Sequence, residues 1–294
     1  MTVCLLSAFF ILPDAFPDLP KSDCLDVAFL KNLSLQWYLD TDELGITQPS
    51  WSDITSGSLS KRKLLSAISC IYNPLSFVLP ILLQGRLLFC DANNPESTWA
   101  TIVPKEIRDR WLTLEQDLSS VGLLHLPRIA LSSSAPTTLA IFTDALVSAF
   151  GCCAYTTSPC TTPALLFACS RLVPEKDKSI LISIPRSELW AVVLAVQTAT
   201  FLKASYDPVQ FLDTRIFTDS AIILAWIHGT SPDRAYENRR VEEIKATIPS
   251  SAITHVPSDQ NLTDWLTKPH NLKKILAKDS LYVYGPAFLR SSLD

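Results

Sequence analysis

The sequence is poor in the residues that hold soft metals. Its 294 residues include four His, and none of its eight Cys forms a CxxC pair. That shortage argues against a zinc site. A surplus of positive charge is missing as well. There are 25 Lys+Arg against 29 Asp+Glu, a formal net charge of −4, which does not suit a basic coat for nucleic acid. No basic segment leads the apolar start MTVCLLSAFFILPDAF, and Pro13 and Asp14 interrupt it. A cleaved signal peptide is therefore not expected. The run from 64 to 84 has the length of a membrane span, yet Asn73, Pro74 and Pro80 fall inside it. Packed helices broken at the prolines, with no membrane partner, are the expectation. An internal repeat is also absent. In so long a chain the cysteines at 4, 24, 70, 90, 152, 153, 160 and 169 are expected to be reduced and mostly buried.

What is present describes a folded chain. It is 48% hydrophobic and 18% charged, long enough for about two domains. Residues 1–126 carry 9 Lys+Arg and 14 Asp+Glu, and residues 127–294 carry 16 and 15. The passage HLPRIALSSSAPTTLA (125–140) is rich in Pro, Ser and Thr, and the expected division is 1–124 and 125–294. In the first part, 27–44 alternates like a strand and reaches a turn at Asp40–Asp42. Ser60 is a candidate cap for a helix that begins with a basic cluster. In 104–121, Ile107, Trp111, Leu114 and Leu118 recur at helical spacing behind Pro104.

The second part has a different rhythm. Segments 138–146, 150–157 and 164–173 read as three strands of a meander. A long Ala- and Leu-rich helix follows over 184–204, then a strand over 211–219. An amphipathic helix over 236–248, a short strand in 251–257 and a short helix in 261–270 complete the order. That order is α/β, with one half of the sheet antiparallel and the other parallel.

Four acids stand at telling places in it. Asp144 and Asp219 each end an IFTD, Glu188 lies in the first turns of the long helix, and Asp264 opens the last one. Each has an ordinary reading. Asp144 could open a turn, Glu188 could stabilise a helix N-terminus, and Asp264 could complete a cap begun by Asn261. Asp219 could cap the next helix, with Ser220 behind it. The joint pattern is harder to explain that way. Two neighbouring parallel strands that both end in Asp place two carboxylates side by side, and these repel unless a cation lies between them. Oxygen ligands without His or Cys select Mg²⁺ or Mn²⁺. Two such ions form a clamp for in-line attack on a phosphodiester.

The motifs IFTDALVSAFGCCAY, SIPRSELWAVVLA, FTDSAIILAWI, YENRRVEEI, HVPSDQNLTDWLTK and YGPAFL resemble the ribonuclease H domain of BEL/Pao-type LTR retrotransposon polyproteins. LKNLSLQW and KRKLLSAISCIYNPLSFVLP resemble the region after the polymerase palm of the same polyproteins. The resemblance implies a ribonuclease H-like mixed five-stranded sheet with flanking helices, preceded by a smaller, mostly helical thumb- or connection-like segment. It also implies that Asp144, Glu188, Asp219 and Asp264 are the catalytic carboxylates and hold two Mg²⁺ or Mn²⁺ ions. The implied reaction is hydrolysis of the RNA strand of an RNA–DNA hybrid, in an intracellular setting, with the remaining polyprotein domains as further partners. Arg239 and Arg240 are candidates for phosphate contact, as are Lys61, Arg62 and Lys63 upstream.

The sequence departs from the family at three points. Leu146 replaces a small polar residue two positions after the first Asp. His255, nine residues before Asp264, lies in a strand-like HVPS and reads as a packing residue rather than the mobile loop His of relatives. Trp226 and Trp265 likewise read as core. The polymerase motif Tyr-x-Asp-Asp is missing, and Asp42–Glu43 reads as a solvated turn, so the chain does not polymerise DNA by itself. The competing functional reading is a catalytically inactive, decayed or co-opted fragment that acts as a nucleic-acid-binding or scaffold protein.

Overall fold

A computed structural model describes residues 29–32, 35–55, 57–71, 73, 75–94, 96–128, 137–158, 161–173, 183–206, 211–229, 232, 234–268, 272–275, 277 and 280–290. The apolar start, Cys4, Cys24, Cys160 and the middle of the 125–140 passage lie outside the described residues. The chain divides into two compact units. One comprises 27–127 and 269–278, and the other centres on 128–268 and 279–294.

The first unit is mostly helical beside a small sheet. Strands β1 (Phe29–Asn32), β2 (Leu35–Tyr38), β3 (Glu43–Ile46) and β4 (His125–Pro127) form an antiparallel sheet in that order. The expected turn at Asp40–Asp42 falls between β2 and β3, whereas the stretch before it, read as one strand, holds two antiparallel ones. Asp42 adopts a left-handed φ of 53° between β2 and β3, a conformation that Asp tolerates in turns. The Trp37 Nε1–H donates to Asp42 Oδ1 at 2.9 Å and fixes the reversal. After a single helical turn at Ser52–Thr55 come three longer helices, α1 (Lys61–Ser69), α2 (Leu79–Asp91) and α3 (Lys105–Leu118). Ser60 caps α1 as its sequence suggests, its Oγ accepting from Lys63 N at 3.3 Å. The buried stripe of α3 is Ile107, Trp111, Leu114 and Leu118, the four residues picked out by spacing. The apolar run 64–84 is shared between α1 and α2. Among the described residues, no helix is long and apolar enough to cross a membrane.

The second unit is built on a five-stranded sheet. Its elements are β5 (Thr137–Ala145), β6 (Ala149–Ser158), β7 (Thr161–Leu172), α4 (Ile184–Ser205), β8 (Phe211–Thr218), α5 (Ala221–His228), α6 (Ala235–Thr247), β9 (Ile253–His255), α7 (Asp264–Thr267) and α8 (Leu281–Tyr284). The strand order is β7-β6-β5-β8-β9. β5, β6 and β7 are antiparallel neighbours, while β8 runs parallel to β5 and β9 parallel to β8. This is the mixed ribonuclease H-like sheet that the sequence implied. The meander needs only short turns, whereas each parallel step needs a crossover, supplied first by α4 and then by α5 and α6.

Side-chain alternation assigns the two faces of the sheet. Cys152 turns toward Thr198 on α4. Cys153, Tyr155 and Thr157 turn the other way, toward Thr263, the Tyr282 carbonyl and the Leu289 carbonyl. Both faces are therefore covered, and all ten residues of β6 are buried. Phe142 on β5 and Phe217 on β8 stack at 4.9 Å, and Phe288 packs against both. The described cysteines 70, 90, 152, 153 and 169 are free thiols.

Candidate active site

The register of the parallel strands sets the first two acids. β5 and β8 pair through Thr143↔Thr218, so Asp144 and Asp219 are the next residue along on neighbouring strands. Asp144 shares the face of Phe142, two residues back. The cap reading of Asp219 fails, because Ser220 does that work. Ser220 is the N-cap of α5, with its Oγ accepting from Ile223 N at 3.4 Å. Asp219 is left half-buried at the strand end.

Glu188 arrives from α4. Ser220 Oγ donates to Glu188 Oε2 at 2.5 Å, linking the helix to the loop after β8. The start of α4 is anchored further along. Arg186 Nε lies 2.7 Å from Glu237 Oε1 on α6, and Glu237 is 2% exposed. An ion pair this buried stabilises little over an apolar pair, but it fixes the relation of the two helices, since breaking it strands a charge.

Asp264 is brought in by a stitched segment. Asn261 is buried, and its Nδ2 donates to the Thr143 carbonyl at 2.9 Å. Its Oδ1 accepts from Thr263 N at 3.2 Å. One side chain thus ties the segment before α7 to the residue preceding Asp144. At the other end of α7, the Thr267 hydroxyl donates to Asp144 Oδ2. Lys268 Nζ pairs with Asp264 Oδ1 at i, i+4 spacing.

The electrostatics bind these groups into one field. Burial pushes the Asp144 carboxyl up to about 6, and the charges of Asp219 and Asp264 add to that rise, against the Thr267 hydrogen bond. Burial also raises Glu188, with Asp219 contributing and the Ser220 bond opposing. Lys268 is raised by its bond to Asp264, with further attraction from Asp144 and Asp219.

Among the described residues, no three His, Cys, Asp or Glu converge as a finished metal cluster. The physical reason lies in their charge. Like charges separate, while Thr267, Ser220 and Lys268 bond to Asp144, Glu188 and Asp264. In donor type the set suits a hard divalent cation, because it is all carboxylate and the neighbouring charges raise the proton affinity of Asp144 and Glu188.

The basic candidates fare unevenly. Lys61 is 5% exposed. Its Nζ donates to Asn93 Oδ1 at 2.7 Å and Ser97 Oγ at 2.8 Å, and lies 5.8 Å from the Trp99 ring centre. It is an internal strut in this conformation, and the phosphate reading of Lys61 is corrected accordingly. Arg240 stacks over Trp190 at 4.3 Å and pairs with Glu243 at 2.6 Å, so its guanidinium is committed as well. Arg62 and Arg239 are exposed, and Lys63 is half-buried. His255 is exposed at the end of β9, opposite Thr218, which corrects its reading as a packing residue. Trp226 and Trp265 are half-buried, and Trp265 stacks on Tyr282 at 6.0 Å. Thr267 and Lys268 were not picked out from sequence. The available signal was their i+3 and i+4 spacing from Asp264.

Comparison with known proteins adds three findings. The foamy viral protease-reverse transcriptase in complex with RNA/DNA hybrid is similar to this chain with a TM-score of 0.50 at 12% identity, over 83% of this chain and 31% of that one. The foamy viral protease-reverse transcriptase dRH in complex with dsDNA gives a TM-score of 0.47 at 10% identity, over 78% of this chain and 37% of that one. LC11-RNase H1, isolated from compost by a metagenomic approach, gives 0.30 at 14% identity, over 43% and 88%. The chain thus spans about a third of the length of these viral proteins. No protein with a curated description matches it. The model of the Pao retrotransposon-like RNaseH-like domain matches residues 60–220, more than half of the chain, including Asp144, Glu188 and Asp219. The ordered match and the mixed sheet agree, and the chain belongs to the Pao retrotransposon-like RNaseH-like domain family.

Proposed function

We propose that the chain is a metal-dependent ribonuclease acting on the RNA strand of RNA–DNA hybrids. The observation that carries this reading is the Thr143↔Thr218 register. It sets two acids side by side at the ends of parallel strands, within one field shared with Glu188 and Asp264. Family membership and the hybrid bound by the foamy viral protein support the same substrate class.

Asp144, Glu188, Asp219 and Asp264 would hold two Mg²⁺ or Mn²⁺ ions. When bound, these ions would supply an activated water and stabilise charge on the phosphate. The protein's own part is positional. The parallel strands fix Asp144 and Asp219. Ser220 fixes Glu188 through its hydroxyl, and Asn261 holds the segment carrying Asp264 against β5. Exposed Arg62 and Arg239, with Lys63, are the basic side chains suited to phosphate contact, and RNA is chosen over DNA through its 2′-OH. The expected setting is cytoplasmic or nuclear, with other polyprotein domains as neighbours.

The test is hydrolysis of a labelled RNA–DNA hybrid by the purified chain. Cleavage with Mg²⁺ or Mn²⁺, and none with EDTA, is expected. The scaffold reading is favoured by one observation, that the carboxylates do not converge among the described residues. Hybrid binding without cleavage at any metal concentration would establish that reading instead.

A further inference from the structure

Asp144 is gripped from the side. The Thr267 hydroxyl donates to its Oδ2, and the backbone at Ala145 supplies a second hydrogen bond. Thr267 is 1% exposed, so this hydroxyl has little water to compete for it. It also lies 3.5 Å from the Asp264 carbonyl, a helix-internal alternative acceptor. A hydroxyl has one proton to give, and the far shorter contact to Asp144 takes it.

The grip is rigid at both ends. Thr is stiff at χ1 because of its branched Cβ. Its segment is pinned at Asn261, whose side chain reaches the Thr143 carbonyl directly before Asp144. Residues 261–267 therefore meet residues 143–144 at two points. The same short segment brings Asp264, so the spacing of two acids depends on this stitch.

We propose that Thr267 is a positioning residue for the site: its hydroxyl holds one oxygen of Asp144 and orients the carboxylate toward a divalent cation. This rests on the reading that Asp144 is a metal ligand. Partners that orient a ligand typically change metal affinity by about 10- to 100-fold when lost. Thr267 acts on the cation only through Asp144.

The test uses the full chain and Mn²⁺ alone, without nucleic acid. Free Mn²⁺ is followed by electron paramagnetic resonance during titration of wild type, Thr267→Val, Thr267→Ser and Asp144→Asn. Thr267→Val keeps the volume and removes the hydroxyl, and is expected to weaken Mn²⁺ binding about tenfold or more. Thr267→Ser keeps the hydroxyl and is expected to restore binding to near the wild-type level. In hybrid cleavage, the Mn²⁺ concentration for half-maximal rate should rise by the same factor in Thr267→Val. If Thr267→Val does not fold, Thr267→Ala against Thr267→Ser makes the same comparison. Equal losses in the Val and Ser variants would assign the effect to packing and overturn the proposal. Wild-type affinity in Thr267→Val, with binding lost in Asp144→Asn, would overturn the role of Thr267 and leave the metal reading standing. No Mn²⁺ binding by wild type would remove both.

Discussion

Asp144 concentrates the tension of the site in one residue. Its carboxyl is held up to about 6 by burial and by the neighbouring charges of Asp219 and Asp264, while in an unfolded chain it titrates near about 3.9. The folded form thus keeps its proton where the unfolded form has lost it. The stability this supplies is complete below about 3.9 and disappears as the pH rises through about 6, by at most about 3 kcal/mol. Urea unfolding in EDTA should show the wild type weakening between pH 4 and pH 7. Asp144→Asn should flatten that dependence, and cleavage of the hybrid should fall by about 10²-fold or more. A variant that keeps the pH slope and the activity would remove Asp144 from the site. Lys61 teaches the opposite lesson at the same scale. In sequence it is one of three consecutive basic residues, indistinguishable from Arg62 and Lys63. Which of three adjacent helical positions points inward depends on what packs there, here Asn93 and Ser97, which lie some thirty residues on in sequence.

Among the elements, α5 separates two readings that sequence could not. Asp219 and Ser220 are both good caps, and they are adjacent. The strand register is what sends the first to the site and the second to the helix. Ser220→Ala should therefore lower stability by about 1 kcal/mol through the lost cap, whereas Asp219→Asn should leave the metal-free protein as stable as before or more so. Thermal melting of both variants in EDTA checks the pair. The regular elements were otherwise legible. The stripe of α3 was read residue by residue from its spacing, and Trp111 is now seen to be fully buried. Trp111→Ala should cost about 3–5 kcal/mol in urea unfolding. What escaped the sequence were the links made by side chains across long separations. Thr267 to Asp144 and Asn261 to the Thr143 carbonyl leave no periodic trace. The first sheet was missed because alternation runs through β1 and β2 alike and does not show that they pair, although the turn at Asp40–Asp42 after them was read.

For the whole molecule, the division into units makes its own prediction. A fragment of residues 128–294 should unfold cooperatively by circular dichroism, since it carries the complete five-stranded sheet. Residues 269–278 group with the other unit, so a modest loss of stability relative to the intact chain is expected. A fragment without a cooperative transition would show that the units depend on each other to fold. The faces of that sheet also have a consequence in time. Tyr155 donates to the Tyr282 carbonyl and Thr157 to that of Leu289, 127 and 132 residues further on, while Phe288 covers Phe142 and Phe217. A ribosome makes the strands first and their cover much later, at roughly 5–20 residues per second. For several seconds of every synthesis, the aromatic face beside Asp144 stands open to water, to chaperones and to other nascent chains.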